Sequence, residues 1–404
     1  MLMLTACKRD VSITKDTTVV QQTKKIELVN NWLLSELKTS QGERKTFLEK
    51  VTKLILWDRG ALQANDLYST IVIPLKSPNS NIVLTVSVND NSNQIDSAEI
   101  QLIRPLKDSK VKKSSKGNID NHTILDEGFS GIISSYTLSN RLKYVRSFLN
   151  GKLISTSKQE RRERNSLVQL KVNTQKSSAL VCWDTYWVTF NYDGTQTWNY
   201  MYSSCSDDCN TTSILDLEKG ISIKNNCGGG GTGPSGQELV MTPELQQFEY
   251  EFRNKMSQQE LQIFDNELTP YQKLIYLANA KSAILVSERH FPGTGYNGKG
   301  DAMRHSLFVA LNSNALGSYL ASRLASAHEQ RGTAIEIDMD TRNNQRGLYH
   351  QMRLMQMGLS PGEFADMLIV SLLQDMQNGS LFVISNLGPD GAPTASSQVV
   401  AANQ

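Results

Sequence analysis

Apolar residues first recur at helical spacing. Ile26, Val29, Leu33 and Leu37 make one stripe, and Phe47, Val51, Leu54 and Trp57 make a second, so two amphipathic helices are predicted. From Leu67 the period shortens to that of strands. Segments 69–75, 82–88 and 97–103 are rich in β-branched residues and end in Pro, Asn or Asp clusters, with Asp90-Asn-Ser-Asn93 at a hairpin turn. Past a Lys/Ser-rich loop at 107–116, segments 128–138, 142–149 and 152–157 continue the meander, and Asn150-Gly151 is a type I′ turn signal. Trp183-Asp-Thr-Tyr-Trp187 and Thr197-Trp-Asn-Tyr-Met-Tyr202 flank Tyr192-Asp-Gly194 and predict one more hairpin. Its rings can bind a glycan or peptide, but in a small cysteine-bearing module they read better as its core.

Beyond a Gly-rich linker at 228–237 the signals turn helical. The linker lacks the Gly-Lys-Ser/Thr ending of a phosphate loop. Thr242-Pro243 reads as an N-cap followed by a first-turn proline. Ser257-x-x-Glu260, Thr269-Pro-x-Gln272 and Ser360-Pro-x-Glu363 read as capping boxes. Helices are predicted at about 243–255, 258–267, 270–288, 301–329 with an interruption near Gly317, 341–357 and 361–377. The fold class is therefore multidomain: an N-terminal α+β domain of helices and antiparallel sheet (25–175), a small Cys-rich β module (176–227) and a mostly α-helical C-terminal domain (238–387). A Gly, Pro, Ala and Ser-rich tail at 388–404 is expected to be flexible.

Composition agrees, since 404 residues exceed what one core usually organises, and 39% hydrophobic with 20% charged residues is ordinary globular chemistry. The net charge of +2 conceals an asymmetry. From Gln237 onward there are 12 Lys/Arg against 17 Asp/Glu, leaving 30 against 23 before it, so no nucleic-acid partner is expected of the C-terminal part. No run of about 18 apolar residues occurs.

At the amino terminus Leu4-Thr-Ala-Cys7 resembles a bacterial lipobox. Segment 1–24 then reads as a truncated signal and tether, with Cys7 lipidated and the chain held by its lipid anchor on a membrane of the bacterial cell envelope. Export favours pairing Cys182, Cys205, Cys209 and Cys227 as two disulfides, with three pairings open. A four-thiolate zinc site is the rival, but no Cys-x-x-Cys pair occurs.

Candidate chemistry gathers between His290 and His350, where four of the five histidines fall. A Gly-rich loop precedes Asp301, and on a helix starting there Asp301 and His305 share one stripe. His328 ends the apolar face of Leu320 and Leu324 beside Glu329. Asp340 is expected to cap the next helix, with Asn343 and Asn344 in its first turn. Such imidazoles and carboxylates can hold a divalent metal ion, with His305, His328 and Asp340 as the ligand candidates, or form a His–Asp base that activates water. The bland alternative makes each of them a cap or a satisfied helix-end residue. Asp338-Met-Asp340 lacks the Gly and Glu of a calcium loop. No Gly-x-Ser-x-Gly elbow occurs, and every cysteine precedes the linker.

Gly300-Asp-Ala-Met-Arg-His305, Ala327-His-Glu329 and Met339-Asp-x-x-Asn-Asn344 resemble the three motifs of the uncharacterised bacterial domain-of-unknown-function 6973 family, over about residues 285–380. Met303 stands where an aromatic is commoner in that family. The resemblance groups Asp301, Arg304, His305, His328, Glu329, Asp340, Asn343 and Asn344 and implies no particular reaction. The strand succession around Ile71–Leu75 and Arg141–Leu153 resembles lipoprotein ectodomains of Bacteroidetes-type bacteria. Two functions remain open: a hydrolase acting on lipid or peptidoglycan fragments, or a non-enzymatic surface lipoprotein binding a protein or glycan partner.

Overall fold

The computed structural model describes residues 15–64, 68–77, 81–106, 128–162, 180–190, 196–207, 243–359 and 361–404. Cys7, Cys209, Cys227, the 107–116 loop, the turn at Tyr192–Gly194 and the Gly-rich linker lie outside them. The chain divides into two compact units. The first comprises 1–102, 135–141 and 213–218, and the second comprises 103–134, 142–212 and 219–404.

The first unit joins α1 (Lys15–Thr39) and α2 (Gly42–Leu54) to strands β1 (Ala61–Ala64), β2 (Tyr68–Pro74), β3 (Asn81–Asn89) and the larger part of β4 (Gln94–Pro105). The antiparallel register sets Ile71 opposite Val86 and Ile73 opposite Leu84. These side chains and Ile100 are fully buried against Val29, Leu33, Leu48 and Val51 of the helices. Period-2 and period-3.6 stripes thus meet in one core, which removes the apolar faces of both from water.

The second unit holds β5 (Gly131–Tyr136, its last residues in the first unit), β6 (Leu142–Leu149), β7 (Lys152–Arg162), β8 (Leu180–Phe190) and β9 (Gln196–Asp207). Asn150 and Gly151 turn β6 into β7 with φ of 50° and 75°, the pair of left-handed residues that a type I′ turn needs. β8 and β9 pair onward from β7 in antiparallel register, Cys182 opposite Cys205, so the aromatic hairpin continues this run of strands instead of forming a sheet of its own.

Helices follow: α3 (Pro243–Arg253), α4 (Gln258–Asn266), α5 (Pro270–His290), α6 (Lys299–Leu316), α7 (Ser318–His328), α8 (Ala334–Met355) and α9 (Pro361–Asn378). The capping boxes at Ser257/Glu260 and Thr269/Gln272 both form. Gly317, at φ 89°, separates α6 from α7. α6 is the central helix, packed on α5, α7, α8 and α9. The core around it also takes in Leu106, Ile132, Val145 and Leu149 from the strand region, so helices and strands of this unit share one apolar interior.

Two expectations are corrected here. α8 begins at Ala334 instead of 341, because Thr333 and Glu336 form a capping box about two turns earlier, and Asp340 is consequently a residue within the helix and not a cap. The tail from Gly388 is not shapeless. β11 (Gln398–Ala401) pairs antiparallel with β10 (Phe382–Ser385), and Ala402 is buried, its N–H bonded to Leu381 O. Burial of one small residue and four strand pairs outweighed the composition. Among the described residues, no helix is long and apolar enough to cross a membrane.

Candidate functional site

The site forms where α6 and α8 press together. A Cβ at Gly347 would stand 2.2 Å from Ser306 O, so only glycine allows this approach. Ser306 Oγ then donates to Asn343 O across the crossing at 2.9 Å. His305 is the residue just before Ser306 on α6, and Asp340 lies about one turn before Asn343 on α8. Their proximity is therefore fixed by backbone packing and does not depend on a mobile loop.

The loop before α6 orients Asp301. Thr294 supplies the backbone and hydroxyl oxygens that accept the N–H groups of Asp301 and Gly300, at 3.1 and 2.9 Å, in place of a conventional cap. Asn297, in a left-handed conformation, donates its backbone N–H to Asp301 Oδ2 at 2.6 Å. Arg304 holds the other oxygen, Oδ1, and also donates to Gly295 O at 3.0 Å.

His305 is the hub. Its Nδ1 lies 3.1 Å from Glu329 Oε1, and its Nε2 lies 3.2 Å from Asp301 Oδ1, 3.2 Å from Arg304 Nη2 and 3.6 Å from Asp340 Oδ1. Asn344 donates to the same Glu329 oxygen at 2.8 Å, holding that carboxylate against the ring. Asp301, His305 and Asp340 are 3%, 6% and 8% exposed, while the Arg304 side chain, at 33%, reaches solvent.

Three carboxyl groups around one imidazole set the electrostatics. Burial alone would push His305 toward its neutral form, but Asp340, Glu329 and Asp301 together hold its pKa well above the usual imidazole value. Asp340 moves the other way. Burial raises its pKa, and the neighbouring Glu329 and Asp301 add to that against the pull of His305. Glu329 is lowered despite its burial, chiefly by the charge and hydrogen bond of His305. The arrangement can hold or move a proton, or hold a cation, at Nε2.

Of the residues singled out from sequence, Asp301, Arg304, His305, Glu329, Asp340 and Asn344 meet here. Asn343 does not. Its side chain exchanges two hydrogen bonds with the backbone of Phe382 at 2.9 and 3.0 Å and anchors β10. His328 stands next door, its ring 5.9 Å from that of His305, but its Nδ1 bonds Glu260 Oε2 at 2.7 Å. Among the described residues, the potential metal-ligand atoms within 4.8 Å of one another belong to Asp301, His305 and Asp340, without His328.

Sequence reasoning missed Glu260 and Tyr276. Glu260 serves as the closing residue of its capping box and also, fully buried, accepts the Tyr276 hydroxyl at 2.6 Å, which makes it a link between helix entry and His328. A capping-box Glu followed by an apolar run gives no hint of the second role. Asn297 and Glu336 were missed as well, because they act through the loop: Asn297 Nδ2 and Tyr296 Oη both donate to Glu336 Oε1, at 3.0 and 2.7 Å.

Residues 267–380 match the model of a family described as "Domain of unknown function (DUF6973)". The match takes in α5 to α9 and every residue of the His305 cluster, and leaves Glu260 just outside. No curated protein and no solved structure matches the chain.

Proposed function

We propose that the His305 cluster is the hydrolytic centre of a bacterial cell-envelope lipoprotein. The observation that supports it most is convergence: α6, the end of α7 and α8 each contribute a buried ionisable group to one imidazole, at a desolvation cost that a purely structural contact need not incur. In this reading His305 Nε2 handles the proton of the attacking water. Glu329, itself held by Asn344, orients the ring through Nδ1, as a carboxylate does for a general-base histidine. Arg304, at the solvent edge of the cluster, is the group that meets anionic charge on the substrate or developing in the transition state. His328, backed by Glu260 and Tyr276, is a second proton-carrying group 5.9 Å away, ring to ring.

The envelope part of the proposal rests on Leu4-Thr-Ala-Cys7 and on the even set of four further cysteines, which export would allow to pair in a Cys-rich β region. Lipid or peptidoglycan fragments are then the substrates at hand. The test is to incubate the lipidated protein with phospholipid vesicles and, separately, with peptidoglycan fragments, and to read the products by mass spectrometry. Hydrolysis lost in His305→Ala, with the fold retained, is expected. Turnover unaffected by His305→Ala, or no turnover of either class, would leave the non-enzymatic reading, in which the cluster only holds α6, α7 and α8 in register.

A further inference from the structure

We infer that Asp301, His305 and Asp340 form a binding site for one divalent cation of the zinc class. The inference rests on the hydrolytic reading of that site and revises one role in it: with the ion bound, the lone pair of His305 Nε2 would be engaged as a ligand, so activating the water would fall to the ion instead of the imidazole.

Geometry carries it first. A tetrahedral ion with bonds of about 2.0–2.1 Å sets its ligand atoms about 3.3–3.4 Å apart. Asp301 Oδ1 and Asp340 Oδ1 lie 3.2 and 3.6 Å from His305 Nε2, and all three ligand atoms lie within 4.8 Å of one another. Three ligands at such spacings leave a fourth position for water, which is the pattern of catalytic sites.

A second, independent observation is the Asp340 Oδ1 atom. It is withdrawn from solvent, it points at Nε2, and it has no hydrogen-bond partner. Buried carboxylate oxygens are ordinarily satisfied, and a cation at the centre of the three ligands would satisfy this one.

The surroundings of the histidine also fit. Its other nitrogen faces Glu329, which Asn344 fixes in turn, the carboxylate–histidine arrangement that orients metal ligands. An imidazole among the ligands favours zinc over magnesium or calcium, which prefer all-oxygen sets.

Arg304 is the competitor. Its guanidinium touches both Asp301 Oδ1 and, at 3.2 Å, His305 Nε2, so it stands in part where the cation would sit. Its side chain is a third exposed and can turn outward, where it would face an anionic ligand of the metal.

The experiment strips the full-length protein with a chelator, restores Zn2+ and measures bound metal by equilibrium dialysis with elemental analysis, alongside the thermal unfolding midpoint. Expected are one equivalent bound to the wild type with a raised midpoint, loss of both in Asp340→Asn, and tighter binding in Arg304→Gln. Asp340→Asn keeps size and helix propensity, and its folding is checked by circular dichroism; His305→Gln is the substitute should it not fold. No stoichiometric binding by the folded wild type, binding unchanged in the Asp340 and His305 variants, or weaker binding in Arg304→Gln would overturn the site. Because no substrate is used, metal bound without hydrolysis would count against the hydrolase alone, and hydrolysis by the metal-free protein would count against the cation alone.

Discussion

Two buried histidines on crossing helices meet opposite fates. His305 on α6 is ringed by Asp301, Glu329 and Asp340. His350 on α8 has one carboxylate, Asp375, at 2.5 Å from its Nε2, and shares it with Arg346. Burial disfavours the charged ring at both. At His350 it wins: the pull of Asp375 is opposed by Arg353 and Arg346, and the pKa is lowered. At His305 the carboxylates win and the pKa is raised. Equal burial therefore decides little, and the sign and number of neighbouring charges decide the state. The His350 set is a closed account of one anion and one guanidinium beside an open groove of about 610 Å3 lined by Arg342, Gln345, Arg346, Tyr349, Ser380 and Phe382. The His305 set has anionic capacity left over, which is the property of a site.

The sharpest way to break this comparison is to unbalance the balanced set. Asp375→Ala leaves Arg346 without its counter-ion and His350 Nε2 without its hydrogen-bond partner, and a loss of about 3–5 kcal/mol in urea unfolding is expected, as for a buried pair deprived of one partner. A loss below about 1 kcal/mol would mean that the two sets do not differ as described.

Next in size is the contact that holds His305 and Asp340 together. Gly347→Ala drives a methyl group into Ser306 O and should cost about 3 kcal/mol, the upper part of the range for overpacking. It should also separate α6 from α8 and lower Zn2+ binding at a distance from every ligand. Full binding in a destabilised variant would show that the cluster does not depend on this crossing.

Another buried carboxyl sharpens the rule about neighbours. Asp366 on α9 accepts a hydrogen bond from Ser157, and burial first, then the adjacent Glu363, raises its pKa to about 7. Between the unfolded value of about 3.9 and about 7 the folded protein holds a proton that the unfolded chain has lost. Stability from this group is therefore greatest at low pH and falls as pH rises through that window, by about 2.5 kcal/mol between pH 5 and 8. Asp366→Asn should flatten that slope in denaturant midpoints. An unchanged slope would assign it to other groups.

The smallest effect belongs to a pair in water. Arg342 and Asp338, about half exposed, meet at 2.9 Å one helical turn apart, and Asp338→Ala should change stability by no more than about 0.5 kcal/mol.

Much of the local architecture is legible in the chain. Periodicity marks α1, α2 and the strands from β2 to β7, Asn150-Gly151 marks its turn, Ser257 and Thr269 mark helix starts, and the one-turn spacing of Asp301 and His305 puts them on one stripe. These features are set within a few residues, by sterics and by the hydrogen bonds of helix ends. The start of α8 is equally local, written in Thr333 and Glu336, although Asp340 is the more conspicuous capping residue. What no local rule contains is which groups face one another. Glu260 reaches His328 across 68 positions, Glu329 reaches His305 across 24, and Asn343 turns to Phe382 while its neighbour Asn344 turns to Glu329. Those choices follow from the angle and closeness at which α4, α6, α7 and α8 pack, and that packing is settled by the fit of Gly347 to Ser306 and by the shared apolar interior, both of which exist only once the chain has closed on itself.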